Sequence, residues 1–375
     1  MQIKNIRILP MQGEAVENGY IQFDAHITVF GDMADFPGGD ALDGAGLTLY
    51  PGFVDAHTHL GLCEDSLGFE GDDLNEETAP ATPALRALDG INPLDLCFAE
   101  ALRAGVTCAM VSPGSANPIA GQIAALKTYG TVIDDMVIKN PAAMKLALGE
   151  NPKRVYNGRQ ETPSTRMATA AILREQLQKA KAYAEKQSGT SKPDFDAGLE
   201  ALSLLFRERL PVHIHAHRAD DILTALRIAE EFSLDYTIIH CTQGFRIADA
   251  LAKRGAKALC GPLLCDRCKP EMSGATPANV GILNRAGVKT AIVTDHPETP
   301  LQYLPLTAGL AVREGMEHMQ ALRAITIEPA EICGIADRVG SIAPGKDADL
   351  VLFDCDPLTL AAKPKMVFAM GERVV

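Results

Sequence analysis

Short hydrophobic runs alternate with amphipathic stretches through the middle of the chain. The runs that read as buried strands are FVDAH, VTCAMVS, AMKLALG, LPVHIHAH, DYTIIH, KALCGP and KTAIVTD. Near them, PLDLCFAEALRAG, DILTALRIAEEFS and FRIADALAKRG carry apolar residues at helical spacing. Repeated strand–helix units are typical of parallel strands joined by helices, and their number here approaches eight. The pattern predicts an α/β fold with a (β/α)8 TIM barrel over residues 51–332.

The two ends of the chain have a different pattern. The N-terminal part contains the β-like runs IKNIRIL, YIQFDAHITVF and LTLYPGF, and the C-terminal part contains SIAPGKDADLVLFD and KMVFAMGERVV. Neither end has enough strands to cover its own apolar face. We therefore expect residues 1–50 and 333–375 to form one composite β-sandwich domain beside the barrel.

Several segments lack a clear periodicity and are predicted to be loops. The acidic stretch from Cys63 to Pro93 is long for a loop in a compact domain, so we expect it to roof an active site. SPGSANPIAGQ and GENPKRVY are rich in Gly, Asn and Pro, and we expect them to be loops near a substrate pocket.

Composition narrows the class of protein. Hydrophobic residues make up 47% of the 375 residues and charged residues 22%, which is typical of a globular protein with a real core. The net charge of −13 argues against nucleic-acid binding and favours a small-molecule substrate. We find no secretory signal and no membrane-spanning run, and the nine scattered cysteines suggest reduced thiols, so we expect a cytoplasmic protein that does not bind membranes. These features are also compatible with a homo-oligomer.

Histidines collect at the predicted ends of the barrel strands. His57 and His59 alternate along the first strand, so both point to the same side. A single histidine on a strand is usually a core residue, but other imidazoles and a carboxylate also lie at strand ends. These residues are His213, His215, His217, His240 and Asp295. Convergence at the catalytic end of a barrel predicts a divalent metal site, with zinc favoured and one or two ions per chain.

The motifs PGFVDAHTHLG, LPVHIHAH, TIIH, TAIVTDHP and SIAPGKDADLVLFD together resemble the amidohydrolase superfamily, particularly the branch near imidazolonepropionase. The resemblance covers essentially the whole chain. It implies a metal-dependent hydrolase that acts on carbon–nitrogen bonds other than ordinary protein peptide bonds. By this likeness the metal ligands are His57, His59, His215, His240 and Asp295, with Asp295 and His240 also in catalytic roles.

The expected reaction is attack of a metal-bound hydroxide on a cyclic or linear amide, an N-acyl amino acid or a dipeptide. Asp295 would carry the proton from the water to the leaving nitrogen, although an aspartate before Pro297 could instead cap a helix. The alternative is a deaminase that acts on an amino-substituted ring with one metal. A non-catalytic scaffold is disfavoured, because the ligand set is intact.

A second metal needs an anionic bridge, and AMKLALGENPKR offers two candidates. Lys145 lies in an apolar run, where carboxylation would remove the cost of a buried ammonium. Glu150 follows the strand end and already carries a charge, which makes it the slightly favoured bridge. Without such roles, Lys145 would extend to solvent and Glu150 would cap a turn.

Four residues are candidates for substrate binding. Arg267 and Lys269 follow a strand end in GPLLCDRCKPEM, where they could hold a carboxylate or simply form a solvated charge pair. The other two are His217, beside the proposed ligand His215, and Asn117 in SPGSANPIAGQ. Cys265 and Cys268 in the same segment lack the second pair that a zinc knuckle would need.

Overall fold

The computed structural model describes residues 1–65, 67–189 and 192–375. Its strands are β1 (Gln2–Ile8), β2 (Val16–Phe23), β3 (Ile27–Asp32), β4 (Leu42–Asp43), β5 (Thr48–Pro51), β6 (Phe53–Thr58), β7 (Val106–Val111), β8 (Ile119–Lys127), β9 (Val137–Ala147), β10 (Val212–Ala216), β11 (Tyr236–His240), β12 (Lys257–Cys260), β13 (Lys289–Ile292), β14 (Leu350–Phe353), β15 (Met366–Ala369) and β16 (Glu372–Arg373).

Eleven α-helices lie within the described ranges. They are α1 (Leu96–Arg103), α2 (Ile133–Met136), α3 (Glu150–Gly158), α4 (Arg166–Gln187), α5 (Ala197–Arg207), α6 (Ala219–Glu231), α7 (Ala248–Lys253), α8 (Ala278–Arg285), α9 (Leu304–Arg313), α10 (His318–Arg323) and α11 (Ile327–Ile332). In this part of the chain, none of them combines the length and the apolar character needed to cross a bilayer.

The central sheet is an eight-stranded barrel in the order β6 to β13. Every residue of β6, β7 and β10 is buried, because side chains on one face fill the barrel and those on the other pack against surrounding elements. Helices α6, α7 and α8 separate successive parallel strands from β10 to β13. The predicted (β/α)8 barrel with additional β-structure from the chain ends is confirmed.

One barrel strand departs from the predicted pattern. Strand β8 runs antiparallel to both β7 and β9, and it includes part of SPGSANPIAGQ, which we expected to be a loop. GENPKRVY was also wrongly predicted as a loop, since helix α3 begins at Glu150. Its Asn151 and Pro152 lie in the first turn, where proline disturbs a helix little.

The chain that enters α11 bonds to both the first and the last strand of the barrel. Val54 N of β6 donates to Ile325 O at 2.8 Å, and Ile292 N of β13 donates to Ala324 O at 2.9 Å. These bonds satisfy backbone groups at the seam between the first and last strands.

The strands of both chain ends form the second sheet, in the order β16-β15-β14-β5-β1-β2-β3 with β4 beside β1. The ends meet where β5 pairs antiparallel with β14. The buried apolar core of this sheet is Ile3, Ile6, Ile8, Ile21, Phe23, Ile27, Leu49, Ile342, Ala348, Leu350, Leu352 and Phe368. The domain boundaries at residues 50/51 and 332/333 stay a prediction.

A buried ion cluster joins this sheet to the barrel. Lys127, the last residue of β8, places its ammonium 2.8 Å from Asp347 Oδ2 and 2.5 Å from Asp349 Oδ2, just before β14. Arg338 also contacts Asp347, at 2.9 Å. Burial alone would lower the pKa of Lys127, but the charges of Asp349 and Asp347 outweigh it and raise that pKa. Residues 346–350, with the sequence KDADL, therefore anchor the sheet to the barrel.

We predict that Lys127→Met lowers the free energy of unfolding by about 3 kcal/mol or more, because the buried Asp349 loses its cation and the buried Asp347 keeps only Arg338. Urea denaturation followed by circular dichroism measures the change. The matched control is Lys365→Met, which breaks an exposed pair with Asp354 and should leave the unfolding midpoint nearly unchanged. Equal effects of the two substitutions would show that the buried cluster does not anchor the sheet.

Candidate metal centre

Polar side chains converge at the carboxyl end of the barrel. His57 is in β6 and His59 follows it, while Asp295 lies just after β13. Two backbone bonds hold these segments together: Asp295 N donates to His57 O at 3.2 Å, and His59 N donates to His296 O at 2.9 Å. The first and last strands of the barrel thus present their side chains to one site.

The potential ligand atoms form two overlapping groups. His57, His240 and Asp295 make one, and His215, His217 and His240 make the other, with the ligand atoms of each group within 4.8 Å of one another. Asp295 Oδ1 is 3.2 Å from His57 Nε2 and 3.3 Å from His59 Nε2. The structure therefore brings together all the histidines and the aspartate that the resemblance implied.

Three of the imidazoles are oriented by a contact at Nδ1. The contacts are His59 Nδ1 to Ser112 O at 2.7 Å, His217 Nδ1 to Thr242 Oγ1 at 2.7 Å and His240 Nδ1 to Gly261 O at 2.8 Å. A carbonyl oxygen can only accept, so His59 and His240 carry the proton on Nδ1 and leave the Nε2 lone pair free. This is the arrangement of metal-binding histidines.

Several buried polar atoms of the centre lack a hydrogen-bond partner within the described residues. They are both ring nitrogens of His57, both ring nitrogens of His215 and Nζ of Lys145. His57 Nε2 is close to Asp295, but the geometry is not that of a hydrogen bond. Burying such groups without partners is costly, whereas a metal ion would satisfy the imidazoles. The donor set fits a divalent cation.

The electrostatics of the site keep His57, His215 and His240 neutral and Asp295 ionised. Burial lowers the pKa of His240 to about 4 and holds the pKa values of His57 and His215 well below the ordinary range. Burial opposes ionisation of Asp295, but its interactions with His240, His57 and His59 outweigh it and hold its pKa well below normal. Neutral imidazoles and a carboxylate are the forms that bind metal.

Lys145 and Glu150 lie in different surroundings. Lys145 is fully buried in β9, and burial lowers its pKa to about 7, partly offset by the charge of Asp295. Glu150 Oε2 accepts from Glu271 N at 3.3 Å, and Glu150 N donates to Glu271 Oε2 at 2.8 Å. The Glu150 carboxylate thus joins α3 to the turn at Glu271, whereas the charge of Lys145 contributes to the lowered pKa values of His57, His215 and His240.

The predicted substrate-binding residues are dispersed. Arg267 is exposed, and its Nε and Nη2 donate to Ala275 O at 3.2 and 2.8 Å. Lys269 Nζ is 3.1 Å from Glu271 Oε1, close to the histidines. His217 stacks on His240 with ring centroids 4.3 Å apart.

Asn117 lies in a separate part of the rim. Its Oδ1 accepts from Tyr156 OH at 2.6 Å, and its Nδ2 donates to Glu76 O at 2.6 Å and to Thr82 Oγ1 at 3.0 Å. All of its polar atoms therefore hold α3 and the loop after β6 in place.

Two carboxylates of the site were not identified by the sequence analysis. Glu271 is 1% exposed, and its Oε1 lies 3.7 Å from His215 Nε2 and 3.8 Å from His217 Nε2. Its position depends on how the chain after β12 folds back, which no local pattern indicates. Asp55 is different, because it precedes His57 by two residues and so shares its face of β6.

The comparisons with known proteins agree with this geometry. The model of the amidohydrolase family matches residues 48–375. A crystal structure of an amidohydrolase from Thermotoga maritima MSB8 is 39% identical with a TM-score of 0.95, covering 100% of this chain and 99% of the other.

Two curated relatives match over nearly the whole chain. The amidohydrolase tasK of Hapsidospora irregularis is 28% identical over 88% of this chain, which spans only 36% of that longer protein. The imidazolonepropionase of Mesorhizobium japonicum is 26% identical over 89% of this chain and 83% of the relative. Since the family model covers most of the chain and the metal-binding geometry is present, the chain belongs to the amidohydrolase family and is a metal-dependent hydrolase of carbon–nitrogen bonds.

Proposed function

We propose that the chain hydrolyses an amide bond in a small cyclic or linear molecule, using two metal ions. The observation that carries this proposal is the convergence of Asp295 with two overlapping histidine groups that share His240. The net charge of −13 also favours a small molecule over a nucleic acid. The relatives differ in activity, so their names do not identify the ring or acyl group of this chain's substrate.

We propose zinc as the metal, because a site rich in imidazole nitrogen suits it. Between the two candidate bridges we now favour Lys145. Its buried amine has no partner among the described residues, and with a pKa of about 7 it is partly neutral near neutral pH. The neutral nitrogen can add to carbon dioxide and lose a proton, which gives a carbamate anion in place of an uncompensated ammonium.

Bound divalent metal would polarise the substrate carbonyl and lower the pKa of water. Asp295 supplies the proton transfers. Its ionised carboxylate is fixed beside His57 and His59, so it can accept a proton as the water oxygen attacks the carbonyl carbon. The same proton then passes to the nitrogen as the carbon–nitrogen bond breaks, and the carboxylate is regenerated.

Two of the histidines have a positioning role in this reaction. The Nδ1 contacts of His59 and His240 with carbonyl oxygens fix both rings and aim Nε2 into the site. Preorganisation of this kind avoids rearrangement during the reaction.

We predict that the double substitution His57→Ala and His59→Ala releases most of the bound metal and abolishes turnover, because two ligands disappear. Elemental analysis of dialysed protein gives the metal content per chain. His318→Ala is the control, since this exposed histidine contacts Asp356 away from the centre. Full metal content in the double variant would contradict the ligand assignment.

The bridge is tested by comparing Lys145→Ala with Glu150→Ala. We expect about two metal ions in the natural chain and about one or fewer in Lys145→Ala, with Glu150→Ala unchanged. The opposite result would assign the bridge to Glu150. A single ion in all three proteins would exclude the two-metal proposal and favour the deaminase alternative.

For Asp295→Asn we expect turnover to fall by about 100-fold or more, because the amide cannot accept the proton. Circular dichroism should be unchanged, and the metal content should be largely retained. Comparing turnover at saturating substrate with that of the natural chain measures the effect. Near-normal turnover would identify another group as the base.

A further inference from the structure

A cationic cavity of about 580 Å³ opens next to the metal centre. It lies at the carboxyl end of the barrel, between α3, the start of α4 and the loops after β10 and β12. Its charged lining is Lys153, Arg154, Arg166, Arg218, Glu150 and Glu271. Four cations against two carboxylates stand out in a chain whose net charge is −13.

Glu271 connects this cavity to the metal centre. Glu271 is one of the lining residues, and its buried Oε1 is within 3.8 Å of Nε2 in both His215 and His217. Glu271 is thus a residue that the metal centre and the cationic cavity share. The charge of Glu271 is already balanced by Lys269 and by the backbone N–H of Glu150.

Two of the arginines are held in fixed positions. Arg166 donates to the buried Asp221 through Nε alone, which leaves both terminal nitrogens for another acceptor. Arg218 donates to Asp220 through Nε and Nη2 and retains Nη1. Their guanidinium groups are thus preorganised, and less entropy is lost when they bind an anion.

The other two cations are unpaired. Neither Lys153 nor Arg154 forms an ion pair or a side-chain hydrogen bond with any residue that the structure describes. Both lie on α3, whose first residue, Glu150, contacts Glu271. Unpaired cations beside fixed arginines form a site for a carboxylate, which guanidinium groups bind through paired hydrogen bonds.

A second rim cavity has the opposite charge. It measures about 830 Å³, and its carboxylates Asp72, Asp73, Glu76, Glu77 and Asp89 outnumber its two arginines, Arg86 and Arg159, which pair with Asp89 and Glu77. None of the metal-centre histidines lines either cavity within the described chain, but Glu271, which lies beside His215 and His217, lines only the cationic one. An anionic substrate would be repelled from the acidic cavity and attracted to the cavity at Glu271.

We propose that the cavity around Lys153 and Arg154 binds a carboxylate of the substrate, so that the substrates are amides that carry a free carboxylate group. This inference rests on the proposed amide hydrolysis and specifies its substrate class. It places the carboxylate at α3 rather than at Arg267, which is exposed and does not line this cavity.

The first test uses the double substitution Lys153→Met and Arg154→Met in the metal-loaded enzyme. N-acyl amino acids and carboxylate-bearing cyclic amides are each assayed beside their neutral methyl esters, with products followed by mass spectrometry. We expect kcat/KM for the carboxylates to fall about tenfold or more, with little change for the esters. Arg227→Met is the matched control, because Arg227 is an exposed arginine on α6 outside the cavity.

The second test measures binding without turnover. Calorimetric titration of the metal-loaded protein compares glutarate with its monomethyl ester, which lacks one charge. We expect the natural chain and Arg227→Met to prefer glutarate, and the double variant to lose that preference.

The two tests separate the possible failures. If the natural chain hydrolyses the amide bond of the free acids and of their methyl esters with equal kcat/KM, the proposed substrate class is wrong. The proposed amide hydrolysis is then still supported. If no amide is hydrolysed but glutarate is still preferred, and this preference depends on Lys153 and Arg154, the proposed reaction is wrong. The anion site is then still supported. A preference unaffected by the double substitution would overturn the inference.

Discussion

The carboxylate of Asp55 holds the seam of the barrel on which the metal centre depends. Its Oδ2 accepts from Thr294 N at 2.9 Å and from Thr294 Oγ1 at 2.6 Å, and its Oδ1 accepts from His57 N at 3.1 Å. Burial raises the pKa of Asp55 to about 7, although these hydrogen bonds lower it. One side chain thus fixes His57 on the first strand relative to Asp295 after the last, and both reach the same site.

The histidine positions could be predicted because they depend only on strand identity and direction. Parallel strands end at the same rim, so His57, His215 and His240 had to meet once their strands were recognised. The direction of β8 could not be predicted, since an apolar run such as IAGQIAALK carries no information about orientation. Its short links to β7 and β9 contain no helix of more than one turn.

The charged residues around the centre were harder to assign for a different reason. The sequence favours Glu150 as the bridge because it already carries a charge, and the structure adds that its Oε2 accepts from the backbone N–H of Glu271 at 3.3 Å. Glu271 itself reaches the histidines from a loop, and a loop path is set by tertiary contacts. Sequence spacing places side chains along an element, whereas loop carboxylates depend on how distant segments pack.

The pairing of β5 with β14 also affects how the chain folds during its synthesis. The two strands are separated by about 300 residues, so at about 5–20 residues per second β14 leaves the ribosome some 15–60 seconds after β5. During that interval the N-terminal strands have an open edge and an uncovered apolar face. Such edges recruit other chains, so the nascent protein has a period of aggregation risk that ends only when its last strands emerge.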